Sequence, residues 1–172
     1  MKHFSKLLIL VLILGTSATV FGQKSYKFGH INSQELMAVM PERDSAQAVL
    51  EGFAKKLEDQ LDIMQVEYNN KLQTYLADRD NLTELIKQAK EQELNDMQTR
   101  IQGFEQSAQQ EMQRKQGELM QPIVDKAQKA IQTVAVEQGF LYIFDIAAGS
   151  LIYFSDDSVD ILPMVKESLG IQ

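Results

Sequence analysis

The chain has 172 residues and a formal net charge of −7, and it contains neither cysteine nor tryptophan. Its acidity disfavours a general DNA- or RNA-binding role, which needs cationic side chains to replace counterions, and gives little attraction to an anionic membrane surface. The lack of cysteine excludes disulfides, a thiolate nucleophile, a zinc–thiolate site and lipid-modified cysteine.

Residues 1–22 are typical of a cleaved signal peptide. A cationic start is followed by the apolar run 7–14, and the segment ends in the small residue Gly22. The run is much shorter than the about 20 apolar residues of a membrane-spanning helix, although an uncleaved anchor is the alternative. We therefore expect an exported protein whose mature chain is 23–172.

The mature chain opens with a short strand-like segment, 26–31. Asn32 or Ser33 can cap a following helix over 34–40, because their side chains accept hydrogen bonds from free amides at a helix start. Pro41 interrupts that helix and suits the first turn of a new one.

Residues 42–138 predict two long helices. The first carries an apolar stripe with an eleven-residue period, close to 3.67 residues per turn, and the stripe is narrow enough to need a partner helix. Its members are Ala46, Leu50, Phe53, Leu57, Leu61, Met64, Tyr68, Leu72 and Tyr75.

A turn at 78–81 leads into the returning helix, with Asn81 and Glu84 placed as a capping box. Gly103 and Gly117 indicate either close helix contact, or glycines that the helix merely tolerates, or a hinge, and Pro122 predicts a bend. The apolar positions of the returning helix are Leu82, Leu85, Ile86, Ala89, Leu94, Met97, Ile101, Phe104, Ala108, Met112, Leu119, Ile123, Ala127, Ala130 and Val134.

Residues 139–172 return to strands. Gly139 ends the helix, and the apolar runs 140–145 and 151–154, separated by a glycine-containing turn, predict a β-hairpin. Asp160 can cap a last helix that has Pro163 in its first turn and ends before Gly170.

These elements predict an α+β fold. A long antiparallel α-helical hairpin (42–138) projects from a small β body built from 23–41 and 139–172. Three strands that are apolar on both faces cannot cover themselves, so we expect several copies to pool their strands.

We find no catalytic constellation in the sequence and expect no enzyme activity, cofactor or metal. His30 is the one histidine of the mature chain, and its place in a strand favours a structural role. Asp156 and Asp157 are better explained by a solvated turn than by acid–base chemistry. The glycosylation-like triplet 81–83 is interpreted as turn chemistry.

Aromatic and methionine side chains on the helical stripes have two interpretations. They can hold the two helices together, or some of them can contact other proteins, for which flexible methionine is suited. The candidates for such contact are Met64, Tyr68, Tyr75, Met97 and Phe104.

The mature chain resembles the Skp/OmpH family of periplasmic chaperones. The resemblance lies in the opening strand leading into 32–36, the Pro41 break, the long polar hairpin and Pro122-Ile123 in the return helix. It is closest at the end, in 139–145, a second short strand and the helix start at 160–163.

The resemblance implies a homotrimer with a β-barrel-like body and three helical arms around a cavity. It also implies ATP-independent binding of unfolded outer-membrane β-barrel proteins. The side chains that would pack the body between copies are Phe28, Ile31, Phe140, Tyr142, Phe144, Leu151 and Tyr153.

The chain departs from this family in its charge. The best-known members are basic, so contact with lipopolysaccharide or anionic lipid is not carried over to this acidic chain. The rival hypothesis is a structural coiled-coil adaptor or spacer of the cell envelope, which predicts one defined partner rather than many unfolded ones.

Overall fold

The computed structural model describes residues 26–149 and 151–171, so the predicted signal peptide lies outside the described residues. The chain is α+β, as predicted. Its elements are β1 (Lys27–Ile31), α1 (Ser33–Val39), α2 (Pro41–Asp78), a 3-10 turn (Arg79–Asn81), α3 (Glu84–Glu137), β2 (Phe140–Asp145), β3 (Val159–Asp160) and α4 (Leu162–Ser168).

The body contains a three-stranded sheet in the order β2-β1-β3, and both strand pairs are parallel. Gly29 of β1 lies opposite Ile143 of β2 and Val159 of β3. A parallel pair needs a crossover connection. Here the crossover from β1 to β2 contains the whole helical hairpin, which anchors the hairpin in the sheet at both ends.

The predicted β-hairpin between 140–145 and 151–154 is wrong. Only 140–145 is a strand, and the third strand is the short segment Val159–Asp160. Because β3 runs parallel to β1, as β2 does, the chain must travel back along the sheet before β3 begins. Residues 151–154 belong to that returning connection and are not a strand.

One face of the sheet is covered by helices of the same chain. Ile31 of β1 joins a core with Leu36, Val134, Ile161 and Val165, which come from α1, α3 and the region of α4. Burial of such aliphatic side chains contributes about 1.5–3 kcal/mol each. This core therefore fixes the base of the helical hairpin to the sheet.

Gly29 lies where the core is closest to the central strand. A Cβ atom there would stand 2.9 Å from Ile143 Cδ1, 2.9 Å from Phe140 Cε1 and 3.1 Å from Ile161 Cγ2. The absence of a side chain at this position thus allows Phe140 and Ile143 of β2, and Ile161, to pack against β1.

The short helix α1 lies one residue before its predicted range of 34–40, and its cap is one of the two predicted residues. Asn32 is its N-cap, and the side chain accepts a hydrogen bond from the Glu35 amide at 3.1 Å. Met40 is extended, and Pro41 opens α2 in its first turn.

Asp145, at the end of β2, ties the sheet to α1. Its carboxylate accepts hydrogen bonds from the Ser33 amide at 3.2 Å, the Ser33 hydroxyl at 2.6 Å and the Ala147 amide at 3.0 Å. Burial opposes ionisation, but these hydrogen bonds together outweigh it and lower the pKa of Asp145 below its ordinary value. The stabilisation is therefore complete above the unfolded-state pKa and is lost as the pH falls through the folded-state pKa.

The helical hairpin forms the arm of the molecule. Helix α2 has 38 residues and α3 has 54, which gives lengths of about 57 Å and 81 Å. All nine positions of the predicted α2 stripe are buried or half-buried, which confirms the stripe. The residues between them are mostly exposed, so α2 packs along α3 through one narrow face.

The turn at the arm tip differs in detail from the prediction. The cap of α3 is Thr83, whose hydroxyl accepts from the Ile86 amide at 3.4 Å, and not Asn81, which belongs to the 3-10 turn. Leu82 consequently lies before the helix. Threonine provides the same oxygen acceptor as asparagine, and the tight turn places it two residues later.

Helix α3 runs without interruption past both glycines and the proline of its sequence. A Cβ atom at Gly103 or Gly117 would meet nothing within 4 Å, so the interpretation that they permit close helix contact is wrong. The interpretations as tolerated glycines or as a hinge, and the bend at Pro122, stay predictions.

The ends of α3 and α4 follow the predicted signals, with one shift. Gly139 and Gly170 follow the two helices with φ values of 69° and 70°, in the left-handed region that glycine adopts readily. Asp160 accepts from the Leu162 amide at 2.9 Å, although the residue in the N-cap position of α4 is Ile161.

Candidate functional site: the aromatic face and the arm

The face of the sheet that points away from the helices is aromatic. Phe28 stacks on Tyr142 with a centroid distance of 6.3 Å and an interplanar angle of 5°, and Tyr142 lies 6.2 Å from Phe144. These side chains are 42%, 60% and 42% exposed, respectively. We call Phe28, Tyr142 and Phe144 the aromatic face. Large exposed apolar patches of this kind mark interaction surfaces.

The connection from β2 to β3 covers only one corner of this surface. Phe154 lies over the ring of His30 at 4.2 Å, and the Ser158 hydroxyl shares a hydrogen bond of 2.9 Å with His30 Nδ1. His30 is buried, and these contacts agree with the structural role predicted for it. Ile152 and Tyr153 of the same connection are exposed.

An open hollow of about 860 Å³ remains between the aromatic face and this connection. Its lining includes Tyr26, Phe28, Phe144, Leu151, Tyr153 and Phe154. The single chain thus leaves both the aromatic face and the hollow in contact with solvent.

The seven residues expected to pack between copies fall into two groups. Four of them, Phe28, Tyr142, Phe144 and Tyr153, are exposed, and Leu151 is half-buried in the hollow. The other two belong to the opposite face and the chain's own core, where Ile31 is 2% exposed and Phe140 packs against the buried residues. The strand period of two places Gly29, Ile31 and Ile143 toward the helices and Phe28, Tyr142 and Phe144 away from them. Phe140 departs from this period, because the pairing of β1 with β2 shifts register between Lys27 and Phe28.

The sequence prediction missed three exposed apolar residues next to the aromatic face. They are Tyr26, which opens the strand-like segment 26–31, and Ile152 and Phe154, which belong to the apolar run 151–154. Each lies within two positions of a residue in the predicted set, and this proximity was the signal that could have found them.

The five arm residues proposed for contact with other proteins are buried or half-buried. Tyr75 and Met97 are 6% and 3% exposed, between the two helices. Met64, Tyr68 and Phe104 are half-buried on the same stripes. The described arrangement favours the alternative interpretation, in which these side chains hold α2 and α3 together.

The exposed apolar side chains of the arm lie elsewhere. Helix α2 exposes Val49, Ile63, Val66 and Leu76, and the first turn of α3 exposes Leu85 and Ile86. All four α2 residues lie off the periodic stripe, so a pattern search that follows the stripe passes over them.

Polar contacts also join the two helices. Lys71 bonds to Glu93, and the Tyr75 hydroxyl donates to Glu91. The hydrogen bond from Lys71 lowers the pKa of Glu93, with a further contribution from the positive charge. Near the body, Lys126 bonds to Glu42. The Lys71–Glu93 and Lys126–Glu42 ion pairs are partly exposed, so each contributes little to stability.

The described residues include no group of three metal-ligating side chains. Asp156 and Asp157 lie in an exposed turn, as expected. None of the helices in the described ranges has the length and apolar character to cross a membrane.

Comparison with known proteins identifies similar chains. A family model described as outer membrane protein (OmpH-like) matches residues 27–169. The chaperone protein Skp of Pectobacterium atrosepticum is 25% identical over 158 residues, which cover 91% of this chain and 94% of the relative.

The fold also matches a solved structure. A crystal structure of an OmpH-like outer membrane chaperone from Caulobacter crescentus CB15 superposes with a TM-score of 0.73. The match covers 84% of this chain and 83% of the other, at 14% sequence identity. At that identity the likeness concerns the fold alone, a helical hairpin on a small sheet.

Proposed function

The chain belongs to the OmpH-like family of outer membrane proteins, and from this membership we propose that it is a periplasmic, ATP-independent holdase chaperone. Its clients would be unfolded outer-membrane β-barrel proteins, which it keeps from aggregating. The similarity to a curated chaperone over most of both chains supports this proposal. The function is binding and not catalysis.

The observation that carries the proposal is the uncovered aromatic face at the base of a long arm. A sheet of three strands with exposed Phe28, Tyr142 and Phe144 gains by burying them against a second copy. Copies joined at this face would pool their strands into one body and leave the arms free. The family resemblance implies three copies, so we propose a homotrimer.

The arms supply the client-binding region. An unfolded β-barrel protein exposes alternating apolar side chains and unpaired backbone, which leads to aggregation. Several arms held by one body present many weak contacts, and their effective concentration raises the avidity without fixing one client conformation. The client leaves when folding into the membrane outcompetes these contacts. Contact with lipopolysaccharide is not part of the proposal, because the chain is acidic.

The test is an aggregation assay. A urea-unfolded outer-membrane β-barrel protein is diluted into buffer with and without the mature protein and without ATP, and light scattering is followed. We expect suppression of scattering at a molar excess of the assembled protein. Unchanged scattering at that excess would contradict the holdase proposal.

The rival function, an envelope adaptor or spacer, gives a different result in cells. Crosslinking of the arm would then capture one defined partner, whereas a holdase yields many outer-membrane proteins. A single partner together with no suppression of aggregation would favour the adaptor.

A further inference from the structure

The two helices of the arm differ in the apolar surface that they expose. Helix α2 exposes Val49, Ile63, Val66 and Leu76 along its length. Between positions 87 and 135 of α3, no large apolar side chain is exposed in the described chain. Along most of the arm, exposed apolar surface is thus a property of α2.

Two of these residues are neighbours on the side of α2 that faces away from α3. Ile63 and Val66 are 61% and 58% exposed. Together with Asp59 and Asp62 they occupy positions i, i+3, i+4 and i+7, which lie on one face of a helix. We call these four residues the α2 patch.

The α2 patch lies in a stretch of one charge sign. Residues 57–70 contain Glu58, Asp59, Asp62 and Glu67 and no lysine or arginine. Asp59 pairs with Lys55 at 3.6 Å, whereas Asp62 forms no ion pair with any described residue. Helix α2 as a whole has eight acidic and four basic residues, a net charge of −4. The potential at the patch therefore favours a cationic partner.

We propose that the α2 patch docks unfolded client segments that carry both apolar and cationic side chains. Ile63 and Val66 provide non-directional apolar contact, and Asp59 and Asp62 select the sign of charge next to it. This inference rests on the proposed holdase function and specifies the class of client segment that the arm prefers.

The test compares two fluorescent peptides of equal length and apolar content. One alternates leucine with lysine and serine, and the other has glutamate in place of lysine. Fluorescence anisotropy with the mature protein at low salt is expected to show about tenfold tighter binding of the lysine peptide. The preference should shrink at 1 M salt, where the screening length falls to about 3 Å.

Variants separate the two components of the patch. Asp59→Asn with Asp62→Asn is expected to weaken binding of the lysine peptide about fivefold, the effect of two exposed charge pairs, without weakening the glutamate peptide. Ile63→Gln with Val66→Gln should weaken both peptides. The matched controls remove exposed residues of the same kinds from α3: Glu105→Gln with Glu137→Gln, and Val136→Gln.

Equal affinity for the two peptides would overturn the inference, as would patch variants that behave like the controls. The aggregation assay on the same proteins separates this failure from that of the function. If the unmodified protein suppresses aggregation but shows no charge preference, the proposed role of the α2 patch is wrong and the holdase function is retained. If it does not suppress aggregation, both are wrong.

Discussion

Replacement of glycine by alanine should raise the stability of the folded protein at one position and lower it at another. The difference comes from the backbone conformation at the two positions. A Cβ atom at Gly103 or at Gly139 would meet nothing within 4 Å, so neither substitution is limited by space. Gly103 lies inside α3, where glycine costs about 0.5–1 kcal/mol relative to alanine. Gly139 has a φ of 69°, where a side chain costs about 1–2 kcal/mol.

We therefore expect Gly103→Ala to stabilise the folded protein by about 0.5–1 kcal/mol and Gly139→Ala to destabilise it by about 1–2 kcal/mol. For a chain of this size, 1 kcal/mol corresponds to a Tm shift of about 2–4 °C. The assay is thermal unfolding followed by circular dichroism at one fixed protein concentration, because self-association makes Tm depend on concentration.

A lower Tm for Gly103→Ala would refute this reasoning, because it would mean that α3 at this position is not a regular helix open to solvent. Gly117→Ala serves as an independent repeat, since it has the same open surroundings in the same helix. An unchanged Tm for Gly139→Ala would likewise contradict the left-handed helix end.

Four further substitutions test the body and the arm tip. Asp145→Asn should lower the free energy of unfolding by about 1–2 kcal/mol at pH 7. In urea titrations, this difference in stability from the unmodified protein should shrink as the pH falls through the lowered pKa of Asp145. A pH-independent difference would contradict the assigned hydrogen bonds. Leu36→Ala removes a fully buried side chain and should lower the free energy of unfolding by about 2–5 kcal/mol. Leu85→Ala, at the exposed start of α3, should change it by less than about 0.5 kcal/mol. Equal effects of the two substitutions would contradict the assigned burial. Gly29→Ala should destabilise by about 1–3 kcal/mol, since its Cβ would crowd three core side chains, and a neutral result in the same titration would argue against the tight sheet core.

The helical arm could be predicted from the sequence because its signals are local. The eleven-residue stripe from Ala46 to Tyr75 and the break at Pro41 each depend on residues within a few turns of one another. The exact cap of α3 was not predictable from the pattern, because Asn81 and Thr83 offer equivalent acceptors and the 3-10 turn selects between them.

The sheet was harder to predict because its pairing is not local. The runs 140–145 and 151–154 look like a hairpin by themselves, but β1, more than 100 positions earlier, takes the central place and makes both pairs parallel. For the same reason, the seven residues expected to pack between copies turned out to lie on two different faces of the sheet. Only the pairing shows that Ile31 faces the core while Phe28 and Tyr142 face away from it.

The client-contact candidates depended on the stripe, which identifies the residues that hold the helices together. Tyr75 and Met97 are buried for that reason. Exposed residues such as Ile63 and Val66 carry no periodic signal, because an outward-facing apolar residue belongs to no packed row. Their availability became apparent only from the position of α3 against α2.

The most direct test of this account is the absolute mass of the mature protein in solution, measured by multi-angle light scattering behind a sizing column. We predict three times the mass of one chain, and a shift toward the single-chain mass when Tyr142→Glu places a charge in the middle of the aromatic face. If the unmodified protein elutes as a stable single chain at micromolar concentration, the aromatic face is not a self-association surface and the proposed assembly of arms is contradicted.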